Sequence, residues 1–222
     1  MSGGVDSAVA ATLLLSKGHE VESVYVRTWE HEDDILGDCP GAKDLQDAEK
    51  VSKILNIRFE VVNFVDFYKK EVVHPMVRGY AEGITPNPDI LCNKQMKFGE
   101  LMKYAQERGF DALATGHYAI QKFNKSNQSE LWEGLDKNKD QSYFLARLTN
   151  DQLSYARFPL GRYKKPEVRK LAEASDFPVA NKKDSQGICF LGKVKVPEFL
   201  SHFIEQKDGD IVDKFGKKLG TH

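Results

Sequence analysis

Cysteine is scarce in this chain. Three in 222 residues, far apart, cannot form a disulfide framework. That excludes a small disulfide-stapled secreted scaffold and makes a reducing compartment the expectation. Long apolar runs are missing too: none reaches the roughly 18 residues a membrane-spanning helix needs. Met1 is not followed by a basic stretch and an apolar core, so no signal peptide is expected. Internal repeats and low-complexity segments are absent. So are the G-x-x-x-x-G-K-[ST] and G-x-G-x-x-G patterns, which removes the usual P-loop and the dinucleotide fingerprint. His31 sits among acids in WEHEDD, but no second histidine or cysteine lies at ligand spacing, so no metal centre is expected there. The three cysteines also lack the spacing of an iron–sulfur cluster.

What is present points to one sizeable domain plus the beginning of another. Net charge is −1, which gives no overall case for nucleic acid. Its distribution is uneven. Residues 1–90 carry 9 Lys and Arg against 16 Asp and Glu, whereas residues 139–195 carry 12 against 6. A basic second half fits a polyanionic partner, or simply an uneven solvated surface.

The apolar pattern alternates between helix and strand. Residues 5–17 read as a helix ended by Gly18, and residues 21–28 as a β-branched strand. A loop at 29–41 leads to a helix at 43–56 with Leu45, Ala48, Val51 and Leu55 at helical spacing. A strand at 58–64 precedes a helix at 66–82, with Asp66 as cap and Pro75 as a kink. Residues 83–91, with two prolines, form a loop before a helix at 92–108 and a strand at 110–115. A hairpin is expected within 118–135 around the polar tip KSNQS. Helices follow at 140–148 and 166–175, then a polar loop at 178–187 and a short helix at 197–204. Residues 210–219 read as a hairpin turning at Gly216. The alternation predicts an α/β fold, a parallel sheet with helices on both faces. A phosphate loop of this kind normally follows a strand, and only Met1 precedes it. The expectation is that residues 1–207 form one domain lacking its first strand. Residues 208–222 would then start a small β-containing central domain.

SGGVDS, at residues 2–7, opens directly onto the first helix. Gly3 and Gly4 let main chain approach a ligand closely. Amides at a helix start favour an anion, and Ser2 and Ser7 add hydroxyls. Asp6 is placed to orient the loop or help hold Mg2+. The stretch resembles the SGGxDS pyrophosphate loop of the ATP pyrophosphatases, which cleave ATP between the α- and β-phosphates and adenylate a carbonyl oxygen. That group includes amide-forming synthetases and RNA thiolation enzymes, and the loop alone does not choose between them.

Cys92 follows the proline loop TPNPDIL, opens the helix expected at 92–108 and has Lys94 and Lys97 nearby. A helix start and cations lower a thiol pKa and make a nucleophile. Cys189 lies in KKDSQGICFLG, a polar loop with Lys182, Lys183 and Asp184. Cys39, in GDCPG, has no such setting and reads as a small apolar residue. Together with GHYA at 116–119 and NKDQSYFL at 138–145, these segments resemble those of the tRNA-specific 2-thiouridylases. The resemblance runs from residue 2 to about residue 220. It implies an adenine nucleotide alpha hydrolase-like domain, a small central domain and a C-terminal β-barrel, of which this chain holds the first and the start of the second.

The resemblance implies ATP, with Mg2+, as the activating cofactor. It also implies tRNA as substrate and a persulfide donor, a cysteine desulfurase or sulfur-relay protein, as partner. Ser2, Gly3, Gly4, Val5, Asp6, Ser7, Val26 and Gly116 would bind ATP, with Val26 offering backbone to adenine. Asn87, Pro88, His117, Lys139, Asp140 and Gln141 would meet tRNA. Cys189 would carry the persulfide and Cys92 resolve it, by releasing sulfide or closing a disulfide. Asp89 would act as acid or base, or orient the base. A disulfide needs their Cα atoms within about 7 Å, and the cysteines are 97 positions apart, so at least one loop is expected to close on substrate binding. Charge alone assigns Arg162, Lys164, Lys165, Arg169, Lys182 and Lys183 to RNA phosphates. Two other readings stay open: an amide-forming ligase of the same loop family, and a nucleotide- or RNA-binding fragment without turnover.

Overall fold

Residues 1–29, 40–184, 196–205 and 207–222 are described by a computed structural model. Cys39, His31 and Cys189 lie outside the described residues. Helix α1 (Val5–Leu15) is built from small and branched apolar residues, with Ala8 and Val9 fully buried. A helix apolar nearly all round belongs in an interior. It packs against α8 (Lys165–Ala174) through a core that includes Val9, Val168, Ala172 and Phe177. Strand β1 (Ser23–Arg27) runs parallel to β2 (Phe59–Asn63), pairing Val26 with Val62. Helix α2 (Pro40–Ile54) connects them. A second parallel pair joins β3 (Leu113–Ala114) to β6 (Ala156–Arg157). The parallel α/β class is as expected, although the described strands form separate pairs rather than one continuous ladder.

The edge of β1 explains part of that separation. Ser23 donates to Arg58 O, and Phe64 donates to Arg27 O. Alternation along the ladder therefore turns the backbone groups of Val24 and Val26 to the opposite edge. There the Met1 amine donates to Val24 O.

The helix after β2 differs from expectation at its start. It begins at α3 (Val65–Tyr68), with the Val65 amide donating to Asn63 Oδ1, so Asp66 lies in the first turn and is not the cap. The chain then widens into a π-helical turn, Lys69–Val73, before α4 (His74–Ala81). Pro75 sits at the start of α4, where the widened turn accommodates its missing N–H without ending the helix.

The next helix begins earlier than expected. Asn87 caps α5 (Pro88–Leu91), accepting from the amides of Asp89 and Ile90, with Pro88 in the first turn. A π-helical stretch, Cys92–Glu100, leads to α6 (Leu101–Glu107). The expected hairpin is present as antiparallel β4 (Ala119–Phe123) and β5 (Ser129–Glu133). The helix expected at 140–148 shrinks to a 3-10 turn, Ser142–Leu145. Helix α7 (Asn150–Tyr155), capped by Thr149 and Gln152, was not anticipated, nor was β6. After α9 (Val196–Leu200), β7 (Asp210–Val212) and β8 (Lys218–Thr221) form the expected hairpin. Its Ile211, Val212, Phe215 and Leu219 are exposed. Among the described residues no helix is long and apolar enough to cross a membrane.

Candidate functional site

The SGGVDS loop folds as its residue types suggest. Gly4 is extended at the start of α1 and no side chain caps that end. The first-turn amides are thus left for a ligand or water. Ser7 Oγ donates to Gly4 O at 3.1 Å and accepts from Ser2 N at 3.1 Å; the two serine hydroxyls lie 3.0 Å apart. Main chain from elsewhere presses on the loop. Gly3 has φ +69°, and a Cβ there would fall 2.2 Å from Asp44 O of α2. A Cβ on Gly116 would fall 2.9 Å from the Asp6 carbonyl carbon. Gly116, which follows β3, is thereby brought against the loop.

Around this cradle lies a ring of charge that no sequence spacing discloses. Lys165 Nζ binds both Asp6 oxygens, at 2.7 and 2.9 Å, and Asp184 Oδ1 at 2.8 Å. Tyr118 donates to Asp6 Oδ1 at 2.8 Å. Lys139 lies 2.6 Å from Asp184 Oδ2, and Arg169 lies 2.9 Å from Asp184 Oδ1. Lys182 donates to Gly3 O, Asp44 Oδ1 and Asp47 Oδ2 at 2.7–2.8 Å. Burial alone would raise the Asp184 pKa, but hydrogen bonds from Lys139 and Lys165 outweigh it and hold the carboxyl below its usual range. Burial opposes the charge on Lys182, and the bonds to Asp44 and Asp47 overcome it, raising its pKa. Burial and then Asp6 hold the Tyr118 phenol far above its usual value.

A cavity of about 210 Å³ is lined by the loop, Lys139, Gln141, Lys182, Lys183 and Asp184. That is below the roughly 300–1,000 Å³ typical of pockets that enclose drug-sized ligands. Its enclosed part suits a small polyanion better than a whole nucleotide. Part of the basic half of the chain is thus gathered at this cavity. Lys165 is buried, and it, Arg169 and Lys182 are engaged with carboxylates rather than presented to solvent. Arg162, Lys164 and Lys183 are exposed.

The structure gathers Ser2, Gly3, Gly4, Val5, Asp6, Lys139 and Gln141 around one cavity, with Ser7 hydrogen-bonded to the loop and Gly116 packed against Asp6. Gln141 is fixed by its amide on Tyr118 O and its Oε1 on Tyr118 N. Asp140 turns inward, accepting from Gly134 N at 2.7 Å and from the Ser142 hydroxyl. Val26 is buried in β1, its backbone groups off the β1–β2 ladder. His117 is buried between the rings of Phe98 and Phe158, with Nδ1 2.8 Å from Thr115 Oγ1. Desolvation, and then Lys97, keep its pKa well below 6.5.

Asn87, Pro88, Asp89 and Cys92 do not line that cavity. Cys92 lies four residues beyond Pro88, past the first turn where the helix field acts. It is fully buried among Val26, Tyr68, Met76 and Met96. The expectation that it opens a helix is therefore corrected: Asn87 and Pro88 take that role. Its neighbour Asn93 donates to Phe144 O at 3.2 Å, while the buried Asn93 Oδ1 has no partner among the described residues. Among those residues no group of three or more His, Cys, Asp or Glu is arranged to hold a metal ion.

Sequence reasoning missed the Asp6–Tyr118–Lys165–Asp184 system. The only local hint was Lys and Pro opening α8.

A family model described as tRNA methyl transferase HUP domain matches residues 1–193. The chain is 50% identical over 222 residues to the tRNA-specific 2-thiouridylase MnmA of Akkermansia muciniphila, matching all of this chain and 62% of that protein. It is 47% identical over 223 residues to the protein of the same name from Verminephrobacter eiseniae, covering 60% of it. For the Klebsiella pneumoniae protein of that name the identity is 46%, again over 60% of its length. The chain thus spans about three fifths of the length of these curated relatives. Among solved structures, NMN synthetase from Francisella tularensis aligns with a TM-score of 0.49 and 20% identity, over 84% of this chain and 66% of that one. With a match that takes in the phosphate loop, the ring of cations and the turn before Cys92, the chain belongs to the tRNA methyl transferase HUP domain family.

Proposed function

We propose that this chain belongs to an enzyme that replaces the 2-oxygen of the tRNA wobble uridine by sulfur at the expense of ATP. The observation that carries the reading is the cradle of uncapped α1 amides and serine hydroxyls ringed by Lys139, Lys165 and Lys182. Such a site neutralises a polyphosphate and favours departure of pyrophosphate. The uracil O2 attacks the α-phosphorus, the bond to the β-phosphate breaks, and AMP becomes the leaving group on C2. Val26, with its backbone directed off the ladder, supports a main-chain contact to adenine. Asp6 and Asp44 supply carboxylate oxygens beside the cradle. Mg2+ bound through one or two carboxylates plus substrate phosphates fits that donor set.

Sulfur arrives as a persulfide on Cys189, delivered by a donor protein. Its outer sulfur attacks C2 and AMP leaves with the oxygen. Cys92 thiolate then attacks the Cys189 sulfur, closing a disulfide and freeing the thiocarbonyl. Alternatively, Cys92 releases sulfide first, which attacks C2, with the same disulfide left. A dithiol reductant returns both thiols by two-electron exchange. Cys92 is buried, so presenting it needs rearrangement around residues 88–92 when the flipped-out base enters. Asp89 is placed on that turn to orient the base, with Asn87 and Pro88 shaping it. Half-buried Asp140 and buried His117, each hydrogen-bonded to its own segment, support the backbone of segments assigned to tRNA and nucleotide.

The family model's description speaks of methyl transfer, and the relatives' names of thiolation. A phosphate cradle together with Cys92 and Cys189 favours thiolation. We also propose that residues 1–207 form the adenylation domain and residues 208–222 the start of a second, β-containing domain. The exposed apolar hairpin β7–β8 supports that boundary.

The test measures AMP and pyrophosphate release from Mg-ATP by the full-length protein, with and without unmodified tRNA and a sulfide source. Digested tRNA is then searched for 2-thiouridine. Release that requires tRNA, with 2-thiouridine lost in Cys189→Ser, is the expected outcome. Methyl incorporation from S-adenosylmethionine, or tRNA-independent adenylation untouched by Cys92→Ser and Cys189→Ser, overturns it.

A further inference from the structure

We propose that Lys139 is a phosphate ligand of the loop cavity, held on Asp184 until a polyphosphate enters. The proposal rests on the reading that the loop binds the polyphosphate of ATP. It makes Lys139 a residue shared between the nucleotide site and the turn assigned by resemblance to tRNA.

Besides Lys183, which is exposed and also lines the cavity, three cations of the ring border the cradle, and they differ in what they leave behind on moving. Lys165 is 9% exposed and holds both oxygens of Asp6; its departure would leave that carboxylate, among the described residues, with Tyr118 alone. Lys182 ties the loop carbonyl of Gly3 to two carboxylates of α2, so its departure would release α2 from the loop. Lys139 is 40% exposed, and among the described residues its ammonium has one ion-pair partner, Asp184. When Lys139 leaves, Asp184 keeps Lys165 at 2.8 Å and Arg169 at 2.9 Å. No buried charge is stranded, so this movement is the least costly of the three.

The backbone that carries Lys139 is also fixed. Asp136 Oδ2 accepts from the amide of Lys165 at 2.8 Å, Asp140 Oδ1 accepts from Gly134 N at 2.7 Å, and the Gln141 amide donates to Tyr118 O at 2.9 Å. Only the side chain has to rotate, and the cavity it would turn towards is the one it already lines. A polyphosphate carries more charge than the Asp184 carboxylate and outcompetes it for a mobile ammonium. Asp184 is then a competing anion, not a support of the site, and the two roles predict opposite effects of removing its charge.

Calorimetric titration of the full chain with inorganic pyrophosphate separates them. Lys139→Gln is expected to weaken binding about tenfold, the loss of one charged hydrogen bond, while Lys139→Arg stays within about threefold. Asp184→Asn is expected to tighten binding several-fold. If Asp184→Asn weakens binding as Lys139→Gln does, the pair is a structural tie and the proposal is overturned. Unchanged affinity in Lys139→Gln overturns it as well, while leaving the phosphate site standing. No binding to the unaltered chain overturns the phosphate-site reading itself, and this proposal with it. Should Asp184→Asn not fold, the two Lys139 variants decide. A charge-dependent loss at an unchanged thermal midpoint supports the proposal, and a loss that tracks a lowered midpoint overturns it.

Discussion

Lys165 reaches both carboxylate oxygens of Asp6, at 2.7 and 2.9 Å, across 159 positions of chain. The pair fastens α8 to the first turn of α1 and cancels a negative charge at the mouth of an anion cradle. Lys165→Met should cost about 3 kcal/mol in urea unfolding, because it strands the charge of Asp6 in a half-buried place. Combining it with Asp6→Asn should recover part of that loss. A double variant as unstable as the sum of the singles would show that the two side chains are not coupled.

Gly3 has a positive φ and the Asp44 carbonyl against it. Gly3→Ala should therefore displace α2 and abolish pyrophosphate binding, with a stability loss of about 2 kcal/mol or more. Gly83 also has positive φ, +75°, but nothing lies within 4 Å of its Cβ position. Gly83→Ala should cost only about 1 kcal/mol and leave binding intact. Equal effects at both positions would mean that the contact with α2 does not matter.

Lys182 joins Gly3 O to Asp44 and Asp47. Lys182→Met should loosen α2, seen as faster amide exchange in its first two turns with little change in α8. Lys182→Arg should restore most of the protection. Exchange that is unaltered in α2 would remove the clamp from consideration.

Acid should destabilise the chain well above the carboxylate range. Burial lowers the Met1 amine from 8.0 to about 5, and desolvation followed by Lys97 keeps His117 well below 6.5. The unfolded chain binds protons here that the folded chain refuses, so stability rises with pH. The His117 contribution is whole above pH 6.5 and is lost progressively below it. That of the amine is whole above pH 8 and is lost as pH falls towards 5. Each group adds a slope of at most about 1.4 kcal/mol per pH unit. Urea midpoints should climb between pH 5 and 8; a flat profile would show that these groups stay solvated in the folded chain.

Much of the fold was legible in the sequence because local chemistry dictates it. The hairpin at 119–133 follows from alternation around a polar tip, and the turn at Gly216 from the residue type suited to the positive φ it takes. The phosphate loop was legible for the same reason, being a run of contiguous small residues. Some errors were errors of reading. Asn87 and Pro88 spell a cap and a first turn, and Thr149 with Gln152 spells a capping box, so α5 and α7 had signals in plain view. The ring of charge had none. Tyr118 meets Asp6 across 112 positions, and Lys182 meets Gly3 across 179. Only the packing of α8 and the Lys139 turn around α1 brings them together. The lysines could be counted from the sequence, but the count could not tell Lys165 and Lys182, which are bonded to carboxylates at the loop, from Lys164 and Lys183, which are exposed.

On the loop side the cradle's wall is main chain, pressed in at Gly3 by α2 and at Gly116 by the end of β3. Its shape is therefore written in atoms that are not there. Substitutions around it can alter how strongly an anion is held but hardly the outline that receives it. A descendant of this chain could exchange cations, cysteines and downstream substrate while inheriting the receptacle unaltered, so long as two hydrogen atoms stay where side chains would otherwise begin.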